Sequence, residues 1–182
     1  MTRSLMIATL VLACSGATAI AEVPREDLQV FKDVARQVRT YASFTVFDDV
    51  RASVENGEVT LRGRVTMPYK RDDLERRVLR VDGVSAVKNE IAVLPVSAYD
   101  NELRFRIARA IYGNPSFWHY ASMANPPIHI VVERGHVTLT GVVNNEVERV
   151  LARSLATSLG AFSVTNDLKT DAEMAVALEG IR

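Results

Sequence analysis

One short string of this chain occurs twice, and that repetition limits the fold more tightly than anything else in the sequence. Gly57-Glu58-Val59-Thr60-Leu61-Arg62-Gly63-Arg64-Val65 returns as Gly135-His136-Val137-Thr138-Leu139-Thr140-Gly141-Val142-Val143, so one small folding unit is built two times over. In the first copy Val59, Leu61 and Val65 alternate with Thr60, Arg62 and Arg64, the period of a strand with one buried and one wet face. Asn56-Gly57 ahead of it tolerates positive φ and predicts a two-residue hairpin turn. The partner strand has Val50, Ala52 and Val54 inward, and Ile128, Ile130 and Val132 repeat it before a turn at Arg134-Gly135. Gly63 and Gly141 fall in mid-strand, where the missing side chain predicts a kink or the close approach of a helix.

The same order of elements surrounds each hairpin. A helix opening at Pro24-Arg25-Glu26-Asp27 carries Leu28, Phe31, Val34, Ala35 and Val38 at helical spacing, and a loop or short extended lead follows over 40–49. A second helix from near Lys70 buries Leu74, Val78 and Val81 and stops at Asp82-Gly83. Val84 to Val93 reads as a third strand with Val87, Asn89, Ile91 and Val93 on one face. The second copy places helices at 101–112 and 146–159 and strands from Ile128, Val137 and Phe162, with Gly160 and Asn166 where the first has Gly83 and Asn89. Polar Asn89 and Asn166 on inward faces predict amides that bond backbone and hold the last strand. The expected class is α+β: two tandem α-β-β-α-β domains, each a three-stranded mixed sheet with two helices on one face. Their bounds read as 24–96 and 99–170, with a tail over 171–182 and a linker short enough that the domains should touch.

Residues 1–21 read as an export signal. Arg3 supplies the positive start, Leu5 to Ala13 the apolar run, and Ala19-Ile20-Ala21 a small-x-small site that predicts a mature start at Glu22. The run is too short to span a bilayer. A rival reading takes Val11-Leu12-Ala13-Cys14 as a lipobox, with Cys14 lipidated and the protein an outer-membrane lipoprotein. Under the first reading the mature chain has no cysteine for a disulfide, a thiol nucleophile or a thiolate metal site. A formal net charge of +0 argues against a general nucleic-acid binder, which needs a basic surplus to displace counterions.

The element order, the Gly-x-Val-x-Leu-x-Gly-x-Val string and the closing Asn89-Glu90-Ile91 and Asn166-Asp167-Leu168 together resemble the BON domain, in tandem, from about Asp27 to Lys169. The resemblance implies a bacterial protein of the periplasm or outer membrane. It also implies a non-enzymatic role: tandem members, the OsmY-like and DolP-like proteins, are linked to envelope stress, phospholipid binding and chaperone-like support.

The residues themselves carry no catalytic constellation. His119, His129 and His136 have no second histidine or carboxylate at helical ligand spacing and read as solvent-facing, so neither a metal nor a cofactor is expected. Asp72-Asp73 reads as first-turn acid on a helix dipole. The copies differ chiefly in about five extra residues of the second, within a segment over 112–123 that holds Phe117, Trp118, Tyr120 and Met123. Such aromatics suit a membrane interface, and Arg104, Arg106 and Arg109 on the preceding helix suit anionic phosphates; alternatively the insertion covers one end of a small core. Arg51, Arg62, Arg64 and Lys88 share an outer sheet face with Glu55 and Glu90, as an anion site or as cross-strand ion pairs. The matching face of the second copy, with His129, Val131, Thr138, Thr140 and Val142, is more apolar and suits protein contact.

The expected function is that of an exported envelope protein binding anionic phospholipid, envelope proteins or both, in outer-membrane integrity or stress response. The alternative is a soluble periplasmic chaperone-like protein without lipid binding; a hydrolase would need a polar cleft gathering His119, His129 and a carboxylate. Mass spectrometry of the protein recovered from the envelope separates the two N-terminal readings: a chain beginning at Glu22 supports soluble export, and a diacylated or triacylated Cys14 supports anchoring.

Overall fold

A computed structural model describes residues 26–179; the export signal, Cys14 and the end of the tail lie outside them. The first copy runs α1 (Asp27–Arg39), β1 (Asp49–Glu55), β2 (Glu58–Val65), α2 (Pro68–Val78) and β3 (Ala86–Val93). The second runs α3 (Ala98–Tyr112), a 3-10 turn (Pro115–Phe117), the short α4 (Trp118–Ala121), β4 (Ile128–Glu133), β5 (His136–Val143), α5 (Glu146–Thr157) and β6 (Ser163–Thr170), and α6 (Asp171–Glu179) follows. As the repeat requires, there are two three-stranded sheets, β1-β2-β3 and β4-β5-β6. The hairpin pair is antiparallel and the outer pair parallel in each, because α2 and α5 cross over before the last strand.

Each core lies between one sheet face and its two helices. Val30, Val34 and Val38 of α1 meet Val59, Leu61, Leu74, Val78 and Ile91 in the first. Leu103, Ile107 and Ile111 of α3 take the same places against Ile130, Leu139, Ala152 and Leu168 in the second. The stripe expected from Leu28 and Phe31 is corrected, since both are exposed: α1 is rotated so that the i, i+4, i+8 valines face the sheet. Gly63 (φ 135) and Gly141 (φ 115) kink β2 and β5, and a Cβ at either would collide with a carbonyl oxygen of the neighbouring strand, Asp49 or Pro127. The close approach comes from that strand and not from a helix.

A carboxylate at the start of the first helix of each copy holds the hairpin turn. Asn56 and Gly57 both take positive φ, as do Arg134 and Gly135, so their successive amides point away from the ladder as a pair of donors. Asp27 accepts from Asn56 N at 2.8 Å and Gly57 N at 3.0 Å. Asp100, buried, accepts from Arg134 N and Gly135 N, each at 2.8 Å. Arg134 is an unusual residue for a left-handed turn and costs about 1 kcal/mol there, a strain that these charge-assisted bonds offset.

The inward amides behave as expected. Asn89 donates to Arg71 O at 3.1 Å and Glu75 Oε2 at 2.8 Å, and Asn166 donates to Arg149 O at 2.9 Å; each ties the last strand to the crossover helix. Asp72 and Asp73 are corrected: α2 begins at Pro68, no acid lies in its first turn, and Asp73 instead accepts from the Tyr41 hydroxyl at 2.7 Å and pairs with Arg76. Tyr41 and then Arg76 hold that carboxyl below its usual range.

In the first domain a buried ion pair closes the end of the core. Lys70 Nζ lies 2.6 Å from Asp48 Oδ2, both almost wholly shielded from solvent. Thr45 and Thr66 saturate the remaining carboxylate positions from 2.7 to 2.9 Å. Burial pushes the Asp48 carboxyl up, but the bonds from Lys70, Thr45 and Thr66 outweigh it and hold it below the ordinary value. Asp48→Ala, which strands the Lys70 ammonium, should cost about 3–5 kcal/mol in urea unfolding, and Asp48→Leu with Lys70→Met far less. With its folded pKa depressed, Asp48 contributes its full stability above the unfolded value of about 3.9 and loses it as pH falls through the lower folded value. The wild type should therefore lose stability below about pH 4 along a curve that Asp48→Asn flattens.

Candidate functional site

The arginine and aromatic set anticipated on the second domain is divided by the fold. α3 commits Leu103, Ile107 and Ile111 to the core, and Arg104 lies beside that stripe, buried, with its guanidinium donating to Asn101 Oδ1 and Val132 O at 2.5 Å. Arg106 is half-buried, 4.0 Å from Glu102. Arg109 is exposed and makes no ion pair among the described residues.

The insertion folds back on the core. Phe117 is fully buried and stacks against Tyr120 at 6.2 Å between ring centres. The Tyr120 hydroxyl donates to Glu148 Oε2 at 2.7 Å and accepts from Asn144 N at 2.8 Å. Burial, reinforced by the Glu148 carboxylate, pushes its pKa well above the ordinary phenol range. The expected interfacial role for Phe117, Tyr120 and Arg104 is thereby corrected: the first two close the end of the second core and the third braces α3 against β4. Trp118 stays 62% exposed, its indole N–H reaching Gly113 O at 3.3 Å at the end of α3. Met123 is exposed near it, and Phe105, one helical turn before Arg109, is exposed with its edge on Phe47 at 5.1 Å. Phe105 was legible as an apolar residue off the buried stripe of α3.

The three histidines are far from sharing a ligand. His119 Nε2 is 3.1 Å from Asn144 Nδ2 and His136 Nδ1 is 2.7 Å from Ser163 Oγ. His129 is not solvent-facing as expected: it packs on Phe44 at 5.5 Å, and burial holds its imidazole below the ordinary value although Asp49 lies near. Among the described residues no group of three histidine, cysteine or carboxylate side chains is placed to hold a metal ion, and no helix is long and apolar enough to cross a membrane.

His129 marks the contact between the domains. The lead into β1 carries Phe44, Val46 and Phe47 onto the second domain, with Ile130 N donating to Val46 O at 2.7 Å and Arg64 pairing with Glu133 at 2.7 Å. The second sheet's outer face is consequently not open, since Val131 and Thr140 are buried. Beyond this contact the two outer sheet faces line a cleft of about 850 Å³. On its first wall Arg62 and Lys88 both reach Glu90, at 2.6 and 2.7 Å, and Arg51 reaches Asp49 at 3.4 Å, so ion pairs do form on that face.

Both copies match the BON domain family model, over residues 32–95 and 100–172. No curated protein matches the chain. Among solved structures the chain is similar to CdsD, a structural protein of the type III secretion system of Chlamydia trachomatis, at 15% identity over 84% of this chain and 96% of that one, with a TM-score of 0.28. It is similar also to the C-terminal domain of CdsD, at 16% identity over 80% of this chain and 98% of that one, with a TM-score of 0.28.

Neighbouring aromatics of the insertion should respond oppositely to truncation. Phe117→Ala empties a closed core site and should cost about 3–5 kcal/mol, whereas Trp118→Ala should change the urea midpoint little, within about 0.5 kcal/mol. Equal losses at the two positions would mean that the tryptophan also belongs to the core.

Proposed function

This chain belongs to the BON-domain family, and from that premise we propose that it is an exported, non-enzymatic protein of the cell envelope that docks on anionic phospholipid through one edge of its second domain. The observation that carries the reading is Trp118, held at the surface by its bond to the Gly113 carbonyl, with Met123 of the same segment also exposed. A ring with an apolar body and a polar nitrogen suits the headgroup layer. Arg109 stands one turn before Gly113 on α3 with no ion pair among the described residues, and a guanidinium there meets phosphate in bidentate fashion. Phe105 extends the same edge by another turn. Export to the periplasm is supported by Arg3, the apolar run and Ala19-Ile20-Ala21.

Attraction of this kind is local and shallow. The chain has no net charge to steer it, and each well-placed arginine contributes about 1 kcal/mol near an anionic surface, an effect lost as salt screens it. Co-sedimentation with phosphatidylglycerol-containing vesicles should exceed that with pure phosphatidylcholine and should weaken as salt is raised. Trp118→Ala should reduce it several-fold with an unchanged thermal melt, and Arg109→Ala should flatten the salt dependence. Binding that ignores lipid charge, or that survives Trp118→Ala, removes this edge as the docking site; no binding to either vesicle favours a chaperone-like protein without lipid contact.

A further inference from the structure

The cleft between the sheets contains neither Trp118 nor Arg109, and both of its walls carry charged and hydroxyl side chains. On the first wall the β1–β2 register sets Arg51 directly opposite Arg62, a like-charge pairing that a ligand anion would relieve beyond what Asp49 and Glu90 already do. Asp49 pairs with Arg51, and the single carboxylate of Glu90 is shared by Arg62 and Lys88, so this wall keeps a positive excess. Thr60 faces in from the same strand. The second wall contributes Thr138, Thr165 and Asp167, and none of these hydroxyl or carboxylate groups engages another side chain among the described residues.

Two further residues point to a ligand. Arg134 lines the cleft from a left-handed turn, φ 52, where the first copy uses Asn56 at φ 51. Asparagine adopts that conformation readily and arginine does not, so the arginine stands against the preference of the backbone. Its guanidinium has no ion pair among the described residues. His136 also lines the cleft and packs edge-on at 6.1 Å against Phe162, which stacks on Tyr99 at 5.8 Å, extending the lining into an aromatic surface.

We infer that this cleft binds an acidic saccharide, a sugar bearing a carboxylate or a phosphate. The facing guanidiniums call for such an anion in bidentate geometry. The free threonines and Asp167 call for a ligand rich in hydroxyl groups, and the aromatic surface suits the C–H face of a sugar ring. The volume lies within the range of pockets that enclose small molecules, and four arginines among the lining residues favour an anionic ligand over an acyl chain.

Isothermal titration calorimetry of the purified protein at low salt, with digalacturonic acid, glucose 1-phosphate, maltose and inorganic phosphate, tests the inference. At least one acidic sugar should bind about tenfold or more tighter than maltose and inorganic phosphate, and which of the two does so identifies the anionic group. Arg51→Gln with Arg62→Gln, both on exposed strand positions, should weaken that binding about tenfold or more, with circular dichroism showing the fold retained. Thr138→Val with Thr165→Val should weaken it without changing shape. Arg134→Asn should lower affinity and raise Tm together, a split that a purely structural arginine would not give. Trp118→Ala should leave the titration unchanged, which separates this site from the membrane edge. The inference is overturned if neither acidic sugar binds, if maltose or phosphate binds as tightly, or if the double arginine substitution leaves the affinity as it was.

Discussion

A carboxylate on the first turn of a helix, holding two amides of a hairpin turn, is the interaction on which each half of this molecule rests. Asp27 reaches Asn56 and Gly57, and Asp100 reaches Arg134 and Gly135. The bond pair couples elements that are distant in sequence and sets where α1 and α3 lie on their sheets. That placement sends Val30, Val34 and Val38, or Leu103, Ile107 and Ile111, onto the inner face. Because strands alternate, the outer face is settled by the same act. The arginine wall of the cleft is the reverse side of the first core.

The two halves then solve one problem with different chemistry. The end of each sheet near the start of the crossover helix must be closed, and a small domain has little apolar material for it. The first domain uses Asp48 and Lys70, with the threonines on either side. The second places Tyr120 against Glu148 and Asn144 and fills the space behind with Phe117. The acid moves from the lead segment to the helix, and an inserted aromatic turn replaces the lysine. An insertion that looks like a surface loop is thus spent mainly on closure by Phe117 and Tyr120, and Trp118 remains outside.

Contact between the domains follows from the lead into β1. Phe44 packs both on its own core and on His129, Val46 O accepts from Ile130 N, and Phe47 packs on the edge of Phe105. His129 Nδ1 and Thr140 Oγ1, opposite one another on β4 and β5, are enclosed there with no hydrogen-bond partner among the described residues. The outer faces are therefore held at a fixed offset, and polar residues from two sheets line one cleft. Neither domain alone has such a site.

The sequence by itself determined the local patterns and their duplication. Alternation in Val59, Leu61 and Val65, the turn at Asn56-Gly57 and the matched Asn89 and Asn166 made the element order, sheet pairing and membership of a family legible, because period and turn chemistry are properties of neighbouring residues. Only the tertiary structure decided the fates of Phe117, Trp118 and Tyr120, three aromatics within four positions, of which one faces solvent. Their composition is the same in either outcome; burial depends on Glu148 and Asn144, which lie far along the chain and carry no periodic signal. Arg104 and Arg109 differ for the same reason, one finding the Val132 carbonyl and the other finding water. The lead over 40–49 read as a connection, and its aromatics acquired a role only when a second domain stood within reach.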